Sequence, residues 1–209
     1  MYLFTRRTRL IGGNEMAGVE WAGSICAKVK EVTGQEIELW ASVFSPRSGT
    51  ISWTGWFEDL ASLENVGDKL EAEPSFNDLS DEGVTFTDGT LDDGLIQPIY
   101  GMPTGAAQYV GGVVAVTTAG NIERAMTAGV EIAQKAEAIT GLPTLFVRSL
   151  TGPYGGVGWL TGYESVSQMQ KADTALASDP SWLKLLDSTS GCFVDDPSVT
   201  QTTIYRKLG

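Results

Sequence analysis

The chain has 209 residues, of which 42% are hydrophobic and 19% are charged, so it can bury one large or two small cores and is not a disordered polypeptide. Its formal net charge of −12 argues against general nucleic-acid binding and against attraction to an anionic membrane. The sequence contains no histidine, which excludes Ser-His-Asp and Cys-His catalysis, His-ligated zinc or iron, and a histidine-bound haem.

No segment has the features of a secretion signal or a membrane anchor. The first residues, MYLFTRRTRLIGG, are too basic for a signal peptide, and their apolar part is too short. No run of 18 apolar residues predicts a membrane span. Cys26 and Cys192 are the only cysteines, and nothing suggests a secreted disulfide framework. We therefore expect a cytoplasmic protein with two free, buried thiols.

The first half of the chain predicts six main elements in the order β-α-β-β-α-β. Alternating and β-branched apolar residues predict four strands, at residues 2–11, 36–44, 49–57 and 95–101. Apolar residues at helical spacing predict two helices, from Met16 to Val32 and from Asp59 to about Ala72. Pro74 cannot continue the second helix, so it ends that helix and starts a short final turn.

The second half repeats the first at an offset of about 106 residues. Trp53 corresponds to Trp159, and the phrase PSF at 74–76 corresponds to PSW at 180–182. Asn14 and Asn121 each follow a glycine, precede the first helix of their half, and are expected to cap it. The corresponding strands and helices fall at residues 109–118, 122–139, 144–150, 156–163, 165–177 and 200–208.

This repetition predicts the domain organisation and the fold class. We infer a tandem duplication with repeats at residues 1–103 and 104–209, joined by the Gly- and Pro-containing segment 101–108. Each repeat has the order of a ferredoxin-like unit, whose sheet carries helices on one face, so its other face needs cover as well. Strand 110–116 is apolar on both faces, which fits burial on both sides. The predicted class is α+β: two tandem ferredoxin-like β-α-β-β-α-β repeats that form an intramolecular dimeric α/β barrel.

The end of the second repeat also carries a family resemblance. The segment ALASDPSWLKLL at 175–186, followed by GCFVDDP at 191–197 and a closing strand, resembles the dimeric α/β-barrel superfamily, in its antibiotic-biosynthesis monooxygenase and NIPSNAP-like branches. That superfamily includes cofactor-free oxygenases, haem-degrading enzymes, chlorite dismutases, lactone isomerases and polyketide cyclases, so the fold does not fix the activity. Its haem and cyclase branches commonly use a histidine, which this chain lacks. We therefore expect no cofactor.

A ligand pocket is better placed in the second repeat than in the first. Small residues are concentrated there, at Gly155, Gly156, Gly158 and Gly162. They either leave room for a ligand or let backbones approach closely. Large residues in the first repeat would close the same space, because Trp40 and Trp56 stand where the second repeat has Val147 and Gly162.

Four residues of the second repeat are candidates for catalysis: Arg148, Trp159, Tyr163 and Glu164. Trp159 and Tyr163 are four residues apart on one strand face and would form an aromatic wall, although a duplicated core residue equally explains Trp159. Arg148 either steadies an anionic ligand or pairs with Glu164 or Asp173. Without histidine, the base would be Tyr163, Glu164 or the substrate's own acidity.

Other charged groups have simpler interpretations. Arg6, Arg7 and Arg9 stand in the first strand where the second repeat has valines, which favours a surface strand edge or a partner surface over catalysis. The pairs Asp92-Asp93 and Asp195-Asp196 lack EF-hand spacing and are expected to be solvated, so no metal site is predicted.

Two functional hypotheses follow from the sequence. The first is a small-molecule-binding protein of the cofactor-free monooxygenase or isomerase type, with a small hydrophobic or aromatic ligand in the second repeat. The second is a non-catalytic module that forms oligomers or serves as an accessory subunit. A second repeat filled by Trp159, Trp182 and their neighbours would favour the second hypothesis, whereas a cavity beside Arg148 would favour the first.

Overall fold

We describe a computed structural model of the chain, which covers residues 1–46, 48–102 and 107–208. It contains two compact units. Unit 1 comprises Met1–Leu95 with the C-terminal residues from Arg206 onward, and unit 2 comprises Ile96–Tyr205. The predicted joint at 101–108 lies partly outside the described residues, so the predicted boundary between the repeats stays a prediction.

The first repeat forms the elements that the sequence predicted, in the predicted order. Its strands are β1 (Tyr2–Arg9), β2 (Glu38–Ser42), β3 (Thr50–Phe57) and β4 (Asp92–Tyr100). Its helices are α1 (Glu15–Thr33), α2 (Leu60–Glu71) and α3 (Pro74–Asp81), followed by a 3₁₀ turn at Glu82–Thr85. Gly34 ends α1 in the left-handed conformation that favours glycine. Pro74 occupies the start of α3, where its missing N–H costs no helical hydrogen bond.

The second repeat forms the same series. Its strands are β5 (Tyr109–Val116), β6 (Thr144–Ser149), β7 (Gly156–Tyr163) and β8 (Gln201–Leu208). Its helices are α4 (Ile122–Thr140), α5 (Val166–Ser178) and α6 (Pro180–Ser188). Hydrogen bonds order the eight strands β1-β3-β2-β8-β5-β7-β6-β4 in a closed barrel. The predicted fold class, a duplicated ferredoxin-like unit forming an α/β barrel, is confirmed.

Each unit packs a sheet face against its own long helix. In unit 1, Ile51 and Trp53 of β3 contact a helix stripe that includes Ala22 and Val29 of α1. In unit 2, Phe146 of β6 and Val157 of β7 contact Ala133 of α4. Phe146, Ile51 and Cys192 are the largest side chains with almost no exposure.

The cysteines are free, as expected, but they differ in burial. Cys192 is fully buried, whereas Cys26 is half-buried on α1. Burial raises the pKa of the Cys26 thiol to about 11, so this thiol is protonated at neutral pH.

Two local expectations were wrong. Val113 and Val114 of β5 are 37% and 44% exposed, so this strand is not buried on both sides. An apolar strand sequence does not determine which elements pack against its two faces. Asn14 and Asn121 stand at the helix starts, but neither side chain makes a capping hydrogen bond. The Asn121 amide instead donates to the Gly191 carbonyl at 3.1 Å.

Candidate functional site

Strand register places three of the four candidate residues on the helix-facing side of unit 2. Phe146 lies opposite Trp159, and Arg148 lies opposite Val157. Tyr163 shares this face with Trp159 because side chains alternate along β7. Val157 and Tyr163 are six residues apart on that strand, which separates Arg148 from Tyr163 by about 20 Å. One small substrate therefore cannot touch both.

Trp159 packs in the core between the sheet and α4. Its indole N–H donates to the Gly129 carbonyl of α4 at 2.8 Å, and its ring lies 5.3 Å from the Phe146 ring. Trp53 makes the equivalent bond in unit 1, to the Ala22 carbonyl at 3.0 Å. The space between the sheet and α4 at this point is filled, because Phe146 has no exposed surface. Trp159 can therefore offer a ligand a ring edge, but not its N–H group.

Arg148 and Glu164 both lie at the surface of unit 2. The Arg148 Nε and Nη2 atoms donate to Gln97 Oε1 at 2.9 and 2.7 Å, because Gln97 of β4 is its register partner. Within the described residues, Arg148 forms no ion pair with Glu164 or Asp173, the alternatives that the sequence left open. Glu164 is exposed, and its backbone N–H donates to Gln168 Oε1 at 2.7 Å.

Tyr163 has the most distinctive surroundings of the four. Its side chain is half-buried and lies over Gly111 of β5, where an added Cβ would be 3.1 Å from the ring. Burial raises the pKa of the Tyr163 hydroxyl, the Thr161 hydroxyl lowers it, and the Asp173 carboxylate raises it further. The net shift is upward, so the phenol is protonated at neutral pH and acts as a hydrogen-bond donor.

A row of hydroxyl groups continues from Tyr163 into the sheet. Thr161 lies two residues before Tyr163 on the same face of β7, and it hydrogen bonds to Thr144 on β6, with 3.0 Å between the two Oγ1 atoms. Thr144 is buried, and its hydroxyl also donates to the Leu142 carbonyl at 3.4 Å. This row, together with the Asp173 carboxylate, is called the Tyr163 group below. It can hold a proton on Tyr163 and present that proton to a bound molecule.

The first repeat has no counterpart of the Tyr163 group. The equivalents of Thr144, Thr161, Tyr163 and Asp173 are Ile37, Gly55, Phe57 and Gly67. The first three lie together as well, since a Cβ added to Gly55 would be 3.0 Å from Phe57 and 3.1 Å from Ile37. Sequence reasoning missed Thr144 and Thr161 and considered Asp173 only as a partner for Arg148. The available signal was four equivalent positions, offset by 106 or 107 residues, at which the second repeat has a polar side chain and the first repeat has an apolar side chain or glycine.

A surface groove of about 520 Å³ lies elsewhere in unit 2, at the start of α4. Asn121, Arg124 and Ser188 contribute to its lining, and Arg124 Nη2 donates to the Ser188 carbonyl at 2.9 Å. Within residues 1–46, 48–102 and 107–208, no cluster of Cys, Asp and Glu side chains is arranged to hold a metal. Over the same residues, no helix is long and apolar enough to cross a membrane.

Comparisons with known proteins identify the fold. No family model and no curated protein matches the sequence. Among solved structures, a provisionally named monooxygenase from Fusobacterium nucleatum is 9% identical, with a TM-score of 0.71 over 100% of this chain and 92% of that chain. An anthrone oxidase-like protein is 10% identical, with a TM-score of 0.69 over 100% and 91%.

A chlorite dismutase variant from Candidatus Nitrospira defluvii is 12% identical, with a TM-score of 0.55 over 100% of this chain and 91% of that chain. At these identities the likeness carries the fold and not the activity. Each match extends over both repeats, which agrees with the strand order and the duplicated elements described above. The chain therefore has the dimeric α/β-barrel fold that its sequence predicted, with both halves in one polypeptide.

Proposed function

We propose that the chain binds a small, oxidisable aromatic molecule in unit 2 and oxidises it with O₂ without a cofactor. The observation that carries this proposal is the Tyr163 group, which the second repeat has and the first repeat lacks. Packing alone does not require it, because the first repeat fills the same four positions with apolar side chains and glycine. Thr144 is buried, and Thr161 and Tyr163 are half-buried; removing their hydroxyl groups from water costs free energy, which favours a functional reason for them.

In this proposal Tyr163 acts on the substrate directly. Its protonated hydroxyl donates to a substrate oxygen as that oxygen becomes anionic, which stabilises the electron-rich form that reacts with O₂. The substrate proton is accepted by the Asp173 carboxylate or by the carboxylate of Glu164, which follows Tyr163 in the chain. Trp159 forms part of the wall. Arg148 is about 20 Å away along the sheet, so it has no part in chemistry at Tyr163.

Two structural neighbours support the choice of reaction. One is named for monooxygenase activity and another is named as anthrone oxidase-like. Anthrone is therefore a suitable probe. Its oxidation balances without a cofactor: the ring CH₂ group loses two hydrogen atoms, one oxygen atom of O₂ enters the product as a carbonyl, and the other leaves as water.

The test is anthrone oxidation followed by O₂ uptake and quinone absorbance. We expect the wild-type chain to exceed the spontaneous rate and Tyr163→Phe to lower kcat by about 100-fold, the usual loss for one hydrogen-bond donor to a developing anion. Tyr154→Phe is the matched control, because Tyr154 is 89% exposed in the β6–β7 turn, and it should leave the rate unchanged. Wild-type protein with no activity above the spontaneous rate, or equal rates in both variants, would contradict the proposal.

A non-catalytic module is the second candidate function. The observation that favours it is the filled space around Trp159, where Phe146 is fully buried and leaves no room beside α4. Native mass spectrometry of freshly purified protein separates the two candidates. A bound small molecule on a single chain supports the first, and a ligand-free oligomer of defined size supports the second.

A further inference from the structure

Unit 1 has a polar sheet face opposite its helices. Along β3, Ile51 and Trp53 pack towards α1, so Ser52, Thr54 and Trp56 point to the opposite side. Register adds residues from the neighbouring strands: Arg7 of β1 and Trp40 of β2 lie opposite Ser52, and Glu38 lies opposite Thr54. We call these six side chains, together with Lys207 of β8, the polar face.

The second repeat shows that the fold does not need polarity at these positions. The residues that correspond to Arg7, Glu38, Trp40, Ser52, Thr54 and Trp56 are Val114, Leu145, Val147, Gly158, Leu160 and Gly162. All six are aliphatic or glycine. An apolar face is thus compatible with this architecture, and a partly buried charged face costs free energy unless its groups are paired.

Part of the polar face is already satisfied by its own members. Lys207 Nζ lies 2.6 Å from Glu38 Oε1 and 5.9 Å from the centre of the Trp40 ring. The Trp40 indole N–H donates to Thr54 Oγ1 at 3.0 Å. These contacts join Glu38, Trp40, Thr54 and Lys207 into one connected group.

The rest of the polar face has unused hydrogen-bonding groups. Arg7 is exposed and, among the described residues, its guanidinium makes no hydrogen bond or ion pair. By contrast, Arg6 on the other side of β1 binds Asp93 through two bonds of 2.8 and 2.7 Å. Ser52 is only 5% exposed, yet its hydroxyl finds no partner in the described part of the chain. Arg7 and Ser52 lie directly opposite each other, with about 5 Å between their Cβ atoms.

We infer that the polar face is a binding site for a small planar aromatic carboxylate. The Arg7 guanidinium matches a carboxylate with two parallel hydrogen bonds, and the Ser52 hydroxyl donates a third. Trp56 is half-buried on the same face, with an indole surface against which an aromatic ring can pack. The face carries two cationic side chains and one carboxylate within a chain of net charge −12, so it attracts an anion locally. This site lies in unit 1 and does not depend on the function proposed for Tyr163.

The experiment measures binding of 1-naphthoate by isothermal titration calorimetry, with the neutral 1-naphthamide as a second probe. We expect Arg7→Gln to weaken naphthoate binding by about 10- to 100-fold, the range for loss of a charge-assisted hydrogen bond. Ser52→Ala should weaken it by a smaller factor. Arg6→Gln is the matched control, because it removes the same charge from the adjacent residue on the opposite face, and it should leave the affinity unchanged.

Four results would overturn the inference. The first three are equal naphthoate affinities in Arg7→Gln and Arg6→Gln, equal affinities of the wild type for naphthoate and naphthamide, and no naphthoate binding to the wild type at millimolar concentration. If circular dichroism shows that Arg7→Gln is unfolded, the inference is tested by comparing naphthoate and naphthamide binding to the wild type. Naphthoate binding that Tyr163→Phe removes and Arg7→Gln preserves would place the ligand in unit 2 and also overturn the inference.

Discussion

At the scale of single residues, the two repeats solve one packing problem in two ways. Ala22 of α1 and Leu39 of β2 correspond to Gly129 of α4 and Phe146 of β6. The larger sheet residue is thus matched by the smaller helix residue. A Cβ added to Gly129 would overlap the Phe146 ring, closer than any relaxed contact. Gly129 is therefore required by its neighbour, although glycine weakens a helix.

We predict that Gly129→Ala destabilises the protein. Overpacking against Phe146 costs about 1–3 kcal/mol in the free energy of unfolding, which outweighs a gain of at most about 1 kcal/mol in helix propensity. Urea unfolding measures the difference. Gly23→Ala is the control, because Gly23 is exposed on α1 with nothing near its Cβ position, and it should stabilise the protein. Adding Phe146→Leu to Gly129→Ala reproduces the Ala–Leu pair of the first repeat, and it should recover part of the lost stability. No recovery in the double variant would refute this explanation.

At the scale of elements, helix starts depend on contacts that residue type does not reveal. Asn14 and Ser165 both stand at N-cap positions with suitable side chains. Ser165 accepts a hydrogen bond from the Gln168 backbone N–H at 3.2 Å, whereas Asn14 makes no capping bond. The difference lies in backbone geometry: Ser165 is extended, but Asn14 has a φ of −130° and a ψ of 25°.

We predict that Ser165→Ala lowers the free energy of unfolding by about 1 kcal/mol. Asn14→Ala removes a side chain of the same capping class from a helix start where no bond exists, so its effect should stay within about 0.5 kcal/mol. Thermal or urea unfolding of the two variants gives the comparison. Equal losses would show that Asn14 caps α1 in solution.

The order of the elements could be predicted from the sequence because it depends on local signals. Alternation marked the strands, and Gly34, Pro74 and Pro180 marked helix ends and starts. Exposure could not be predicted in the same way. Val113 and Val114 are as apolar as buried strand residues, but their burial depends on which element packs against each face of β5. The Tyr163 group was missed for a similar reason, since its members come from three elements and meet through register.

At the scale of the whole molecule, duplication makes each repeat a control for the other. Equivalent positions that agree, such as Trp53 and Trp159 with their helix carbonyl bonds, mark what the fold requires. Equivalent positions that differ in polarity mark what one repeat does beyond folding. Two such groups stand out among the described residues: the Tyr163 group, on the helix-facing side of the sheet in unit 2, and the polar face, on the side away from the helices in unit 1. We expect function to be less predictable than fold, because the functions proposed above depend on these differences and not on the shared pattern.

The net charge of −12 has its own consequence for the whole molecule. Repulsion among carboxylates destabilises the compact state, while the described residues form four ion pairs that oppose it. Exposed pairs contribute at most about 1 kcal/mol each and are themselves screened by salt. Because excess acidic charge greatly outnumbers these pairs, we expect repulsion to dominate the response to salt.

We predict that raising NaCl from about 0.02 M to about 0.5 M at pH 7 raises Tm, because the Debye length falls from about 20 Å to about 4 Å.

Lowering the pH reduces the carboxylate repulsion, but it also removes hydrogen bonds that stabilise the folded state. Hydrogen bonds from Ser62, Ser75 and Ser181 lower the pKa values of Asp59, Glu73 and Asp179. A lowered folded-state pKa gives stability above the unfolded value that is lost as pH falls through the folded value. Calorimetry at two salt concentrations should therefore show a salt benefit that shrinks from pH 7 towards the isoelectric point of about 4.3, where the net charge is zero, with stability falling below about pH 4. A Tm that falls with salt at pH 7 would show that the ion pairs outweigh the repulsion.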